Sequence, residues 1–344
     1  MLNESMLDSS TSSAQNSSLT PLQIFATFVF IFTTTISLLA YTLVLVILLV
    51  NFKEFKSNFY YVVISLAIVD MAFLGLVLFY VVPRTVLQKN IFGDHPYAPG
   101  LIETFSYTTG CTHLTYIGFN RLIFASVSGP KHPMLDKAFN SRVAVACWIV
   151  ILWAAGSIIP ILVLLAGCNL VYDHVFMAFM YKCRAAYTSG YLEQVMLGNN
   201  VISGLLPSLI AGTHLLAWCV IYFKGKQSGG ASSEIVQQRK RERRMLIQFT
   251  LISLALILYY ASFWIIPYWF AGSPGLVMIT FFGIASTAVN PFTYLAYNKL
   301  MKAKAKHIVF VVFLKRNNVV VDIGTNTLGK SGVATSVLVK PAHM

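Results

Sequence analysis

Charged side chains are scarce in this sequence. Asp, Glu, Lys and Arg make up 11% of its 344 residues, against roughly 25% in an ordinary soluble domain, while hydrophobic types reach 57%. That balance excludes a soluble globular class and points to an integral membrane protein. Acidic residues are the scarcest, 12 against 25 Lys and Arg, for a formal charge of +13. The opening MLNESMLDSSTSSAQNSSLT lacks the basic stretch and short apolar core of a cleavable signal peptide, so the first hydrophobic span is expected to act as the targeting signal. Metal-ligand spacing of His, Asp and Glu is missing, as is a nucleophile with a matching base. A membrane enzyme is therefore not expected, nor any cofactor, and His113 and His214 read as packed groups. Internal repeats and charges recurring at mid-membrane in several helices are also missing, which weighs against the alternative function of a small transporter or channel.

What is present is a series of long apolar stretches. A hydrocarbon core about 30 Å thick takes about 20 helical residues to cross, and seven stretches qualify: 22–50, 59–83, 101–127, 142–166, 195–223, 246–270 and 274–297. The expectation is an all-α integral membrane protein, a seven-transmembrane helix bundle over 22–298 with an extracellular tail at 1–21. A juxtamembrane amphipathic helix follows at 299–316, and a cytoplasmic tail at 317–344. The third span, LIETFSYTTGCTHLTYIGFNRLIFASV, is the least apolar because it holds Glu103, His113, Asn120 and Arg121. A helix this polar should be surrounded by other helices.

Basic residues set the orientation. With the amino terminus outside, only Arg84, Lys89, Lys182 and Arg184 of the 25 Lys and Arg fall on outer segments. The rest lie at or beyond the inner helix ends, including the run RKRERR at 239–244 and Lys299, Lys302, Lys304 and Lys306. This distribution accounts for the charge without nucleic acid and favours anionic inner-leaflet lipid as a partner. Asn3 and Asn16, in NES and NSS, are glycosylation acceptors on the expected outer tail.

Several motifs sit on specific spans. NPFTY at 290–294 lies near the inner end of the seventh, where Pro291 interrupts the hydrogen-bond ladder. Asp70 lies in the second span, Arg121 near the inner end of the third, Trp148 in the fourth, Pro207 in the fifth and Pro267 in the sixth. With seven spans in this order the chain resembles the rhodopsin-like G-protein-coupled receptors, at a multi-pass position in the plasma membrane. The segments GCNLVYDHVFMAFMYKC and HLTYIGFNR look more narrowly like the nematode serpentine receptor class X chemoreceptors.

The resemblance implies roles. A small-molecule or peptide ligand would bind in the outer half of the bundle, and opening of helix six would expose Arg121 to a heterotrimeric G protein. Asp70, Asn290 and Tyr294 would form a polar centre between the two, filled by sodium or by water alone. A neutral, hydrogen-bonded carboxylic acid is the other reading of Asp70, and a simple interfacial anchor the other reading of Arg121. Where the family usually has an acid before this arginine, here stands Asn120, so the resting state is expected to be less firmly latched and to signal measurably without ligand.

Glu103 stands eighteen residues before Arg121, five turns away on the same helical face, where amine receptors carry a ligand-pairing aspartate. One reading makes it a counter-ion for a cationic ligand, with Tyr107, Trp264, Tyr268 and Trp269 adding aromatic faces. The other has it solvated at the helix mouth or paired with Lys89 or Arg184. Trp264 is three residues before Pro267, whereas the family commonly has two, which turns it about 100° around the helix. Opsins bear their retinal-linking lysine six positions before Asn290; Ile284 stands there, excluding a retinal opsin. The family's usual disulfide has no cysteine at residues 89–106 to start from. Only Cys168 and Cys183 fall outside the spans, and a bridge between them within the outer loop is expected, free thiols being the alternative.

Overall fold

The first helix begins at a capping box. The Thr20 hydroxyl accepts from the Gln23 amide and the Gln23 side chain accepts from Thr20 N–H, satisfying two of the donors that a helix start leaves open. In this computed structural model the described residues are 18–55, 58–91, 97–127, 139, 141–183, 189–226, 233–270 and 272–314. Asn3 and Asn16 lie outside them. The chain divides into two units, residues 1–305 and 306–344, and the first contains the bundle.

Seven long helices make up the bundle: α1 (Pro21–Val50), α2 (Phe59–Leu87), α3 (Ala98–Val127), α4 (Arg142–Leu165), α5 (Ser189–Lys226), α6 (Ser233–Trp269) and α7 (Ser273–Tyr297). Six of these helices have a stretch apolar enough to cross a membrane on composition alone, and α3 is the exception. An eighth helix, α8 (Lys299–Leu314), starts where Asn298 Oδ1 accepts from the amides of Leu300 and Met301. In α2 the turn Val77–Val81 widens to π geometry just before Pro83. A proline removes one backbone donor and crowds the preceding turn, and a wider turn absorbs both effects.

The polarity of α3 is accounted for by its neighbours, since it packs against α2, α4 and α5. Its threonines reach backbone carbonyls of α4: Thr108 Oγ1 stands 2.5 Å from Gly156 O and Thr112 Oγ1 3.2 Å from Leu152 O. Gly156 is required for this approach, because a Cβ there would fall on Thr109. A chain of hydrogen bonds joins three helices as Trp153 Nε1 donates to Ser65 Oγ, which meets His113 Nε2 at 2.9 Å, while His113 Nδ1 lies 2.8 Å from Thr109 O. Thus Trp153 bonds to α2, and Trp148 instead packs on Tyr116 and Phe139. Interhelical bonds of this kind contribute about 0.6–2 kcal/mol each in a bilayer.

Between α4 and α5 the chain forms an antiparallel hairpin, β1 (Cys168–Asp173) with β2 (Ala178–Cys183). Its turn is set by Asp173, whose Oδ1 accepts from the amides of Val175 and Phe176. Cys168 and Cys183 are directly opposite in register and form a disulfide. The hairpin lies over one end of the bundle. Gln23 of α1 donates to His174 O, Arg84 of α2 to Tyr172 O, and Thr280 of α7 to Met177 O. Gly100 of α3 lies so close to Leu170 O that any side chain there would collide with it.

Candidate functional site

Beneath the hairpin a cavity of about 50 Å³ lies between α2, α3, α6 and α7. That is room for a few water molecules or one small polar head group. Helical periodicity explains its lining. On α3 the wall is Glu103, Ser106, Tyr107, Gly110 and Leu114, positions three and four apart that share one face. Helix α7 supplies Gly283, Ser286, Thr287 and Asn290 at the same spacing, and α6 supplies Ile252, Leu256 and Tyr259.

Glu103 is half-buried at the hairpin end of this cavity, and Thr104 Oγ1 lies 3.4 Å from its Oε2. It forms no ion pair with a described residue, and Arg184 lies outside the described residues. The Tyr107 and Tyr259 rings meet edge to face at 6.0 Å, and Tyr259 packs on Phe263 at 5.1 Å. From the hairpin, Tyr181 comes near enough that burial first, and then the Glu103 charge, hold its phenol above the ordinary value. The Ser106 hydroxyl is buried and finds no partner among the described residues.

At the other end of the cavity Asp70 Oδ2 stands 2.5 Å from the Tyr41 hydroxyl and 2.6 Å from Asn290 Nδ2. Tyr41 also lies 2.9 Å from Thr287 O, so this centre ties α1, α2 and α7 together. Asp70 Oδ2 thus accepts from both groups, as a carboxyl oxygen does. Among the described residues no three His, Cys, Asp or Glu side chains gather as a metal site would need.

The same helical faces continue away from the hairpin to Phe59 on α2, Arg121 on α3, Phe249 on α6 and Tyr294 on α7. The Arg121 guanidinium lies over the Phe59 ring at 4.1 Å and 5.7 Å from the Phe249 centroid. Asn120 beside it is buried. Pro207 is buried within α5, and Pro291 within α7. Pro267 is exposed in the last turn of α6, two residues from its end.

The structure therefore brings Glu103, Tyr107, Asp70 and Asn290 to one cavity but leaves out three of the aromatics expected there. Trp264, Tyr268 and Trp269 are 54%, 88% and 79% exposed, on the outer surface of α6 in the manner of an interfacial aromatic belt. The aromatic that α6 contributes is Tyr259. It follows Ile252 and Leu256 at helical spacing, a signal present in the sequence but masked by the denser YWF cluster. Tyr41 is equally legible, a phenol within the first span that lies 29 residues before Asp70 in the chain and bonds to it.

Comparison with known proteins agrees with this architecture. The family model described as "Serpentine type 7TM GPCR chemoreceptor Srx" matches residues 31–298. No curated protein matches the chain. Among solved structures, squid rhodopsin superposes with a TM-score of 0.69 over 87% of this chain and 89% of its own, at 14% identity. That likeness concerns the fold alone.

Proposed function

Because the chain belongs to the Srx family of serpentine seven-transmembrane G-protein-coupled chemoreceptors, we propose that its ligand is a small organic cation received by Glu103. The observation that carries this reading is a carboxylate in a cavity whose lining, among the described residues, contains no basic side chain. Tyr107 and Tyr259 offer aromatic rings to an ammonium group, and the unpartnered Ser106 hydroxyl offers an acceptor for one of its N–H bonds. The hairpin end faces outward in this reading, supported by the placement of Lys and Arg and by the disulfide.

Ligand binding favours a state in which the far end of α6 swings out and uncovers Arg121 to the G protein. Pro267 is so close to the end of α6 that a pivot there carries nearly the whole helix. Asp70, Tyr41 and Asn290 connect the ligand cavity to Tyr294 along α7. Lys299, Lys302 and Lys304 and the basic end of α6 lie at the inner leaflet in this reading, where anionic lipid holds them, and the receptor is at the plasma membrane.

The test is a panel of small ammonium compounds and their uncharged isosteres against a second-messenger reporter, in cells with and without G proteins. Responses should come from the ammonium members and vanish without G proteins. A current that persists without G proteins would support a channel instead.

A further inference from the structure

Beyond the cavity, the aromatic contacts around Arg121 form an arrangement that ligand binding does not use. Phe249 of α6 is 1% exposed and stands edge-on to two rings, Phe59 of α2 at 5.7 Å and Tyr294 of α7 at 6.2 Å. The Arg121 guanidinium lies against both phenylalanines, 4.1 Å from one ring centroid and 5.7 Å from the other. The residue before it, Asn120, is a neutral amide and is 1% exposed, so the adjacent position supplies no charge. A ring face carries the negative lobe of the aromatic quadrupole, and its pull on a cation grows as water is removed. A dry pair of phenyl rings therefore adds its own attraction for a guanidinium group.

We infer that Phe59 and Phe249 are positioning residues for Arg121: an aromatic clasp that holds the guanidinium against α2 and α6 at rest and lets it go when α6 moves. The two rings come from different helices, and this is what makes the clasp responsive. Outward movement of α6 takes Phe249 away while Phe59 stays with α2, so the clasp loses one of its two rings at the moment the inner face opens. Phenylalanine does not titrate, so the clasp itself has no pH at which it fails. The inference rests on the reading that Arg121 faces the G protein.

The test compares substitutions that keep the ring with one that keeps only the bulk. Phe249→Leu should raise ligand-independent second-messenger output, per receptor at the cell surface, by about threefold to tenfold, the range expected for one desolvated ring. Phe249→Tyr and Phe249→Trp should stay near the parent level. Adding Asn120→Asp to Phe249→Leu should bring output back down, because a carboxylate then takes over from the ring. Equal rises for leucine and tyrosine would reduce Phe249 to simple packing, and no rise for leucine would remove the clasp.

Hydrogen exchange over residues 246–250 in the purified receptor gives a second readout that needs no G protein. Faster exchange is expected in Phe249→Leu and parent-like exchange in Phe249→Tyr, and identical exchange in all three would overturn the inference. If Arg121→Gln leaves ligand responses intact, the G-protein reading of Arg121 fails, and the exchange data still decide the clasp.

Discussion

The two charged groups on the lining face of α3, Glu103 and Arg121, meet opposite surroundings. Glu103 has phenols near it, a free hydroxyl at Ser106 and a cavity beside it. Arg121 has the faces of two phenylalanines, both buried. A carboxylate beside a cavity is arranged to receive something, whereas a guanidinium packed on rings is arranged to be stored and later released. Both follow from one helical face read over five turns, with the change of role supplied by neighbouring helices.

The difference can be broken most strongly from the hairpin side. Replacing Cys168 and Cys183 by alanine opens a loop with a sequence separation of 15, worth about 3 kcal/mol in the chain-entropy model. The thermal midpoint should fall and ligand potency with it, while basal output per surface receptor is unchanged. A rise in basal output would mean that the two ends of α3 are not separable in this way.

A smaller effect is expected within the cavity. Tyr259→Ala removes the ring facing Tyr107 and should lower potency for an ammonium ligand by about tenfold, read from concentration–response curves. Tyr268→Ala, which alters an exposed residue of the same helix, should leave potency within about twofold. If Tyr268→Ala is the more damaging, the face assigned to the ligand is wrong.

The smallest effect concerns pH. His174, in the hairpin turn, is half-buried, and burial lowers its pKa, with Arg84 and Lys182 adding to that and Asp173 opposing it. Seating of the turn against Gln23 is then complete above the ordinary histidine value of about 6.5. It weakens as pH falls from there toward the lower seated value, because the released imidazole protonates more readily. Thermal midpoints at pH 7.5 and 5.5 should differ slightly in the parent and not in His174→Gln, whereas Arg121-dependent signalling should not follow this step.

Much of the framework is legible in the order of residues alone. Six of the seven spans follow from hydropathy and length, the burial of α3 among its neighbours from its polarity, and the Cys168–Cys183 bridge from the lack of other loop cysteines. The rest depends on helix phase, which residue type alone does not set. Trp264, Tyr268 and Trp269 are the more conspicuous aromatics, yet Tyr259 faces the cavity in the orientation that α6 takes packed on α7 and α5. Trp148 and Trp153 both lie on the fourth helix, and only the position of Ser65 shows that Trp153 bonds to α2. Phe59 and Phe249 are 190 residues apart in an ordinary apolar background, and nothing in the chain marks them until Arg121 is seen between them.

Whether Glu103 receives a cation is read from the potency ratio between an ammonium ligand and its uncharged isostere in the parent and in Glu103→Gln. The ratio should be about thirtyfold or more in the parent, as expected when a desolvated charge loses its partner, and collapse to about one in the variant. An unchanged ratio in Glu103→Gln, with normal surface expression, would contradict a cation at Glu103.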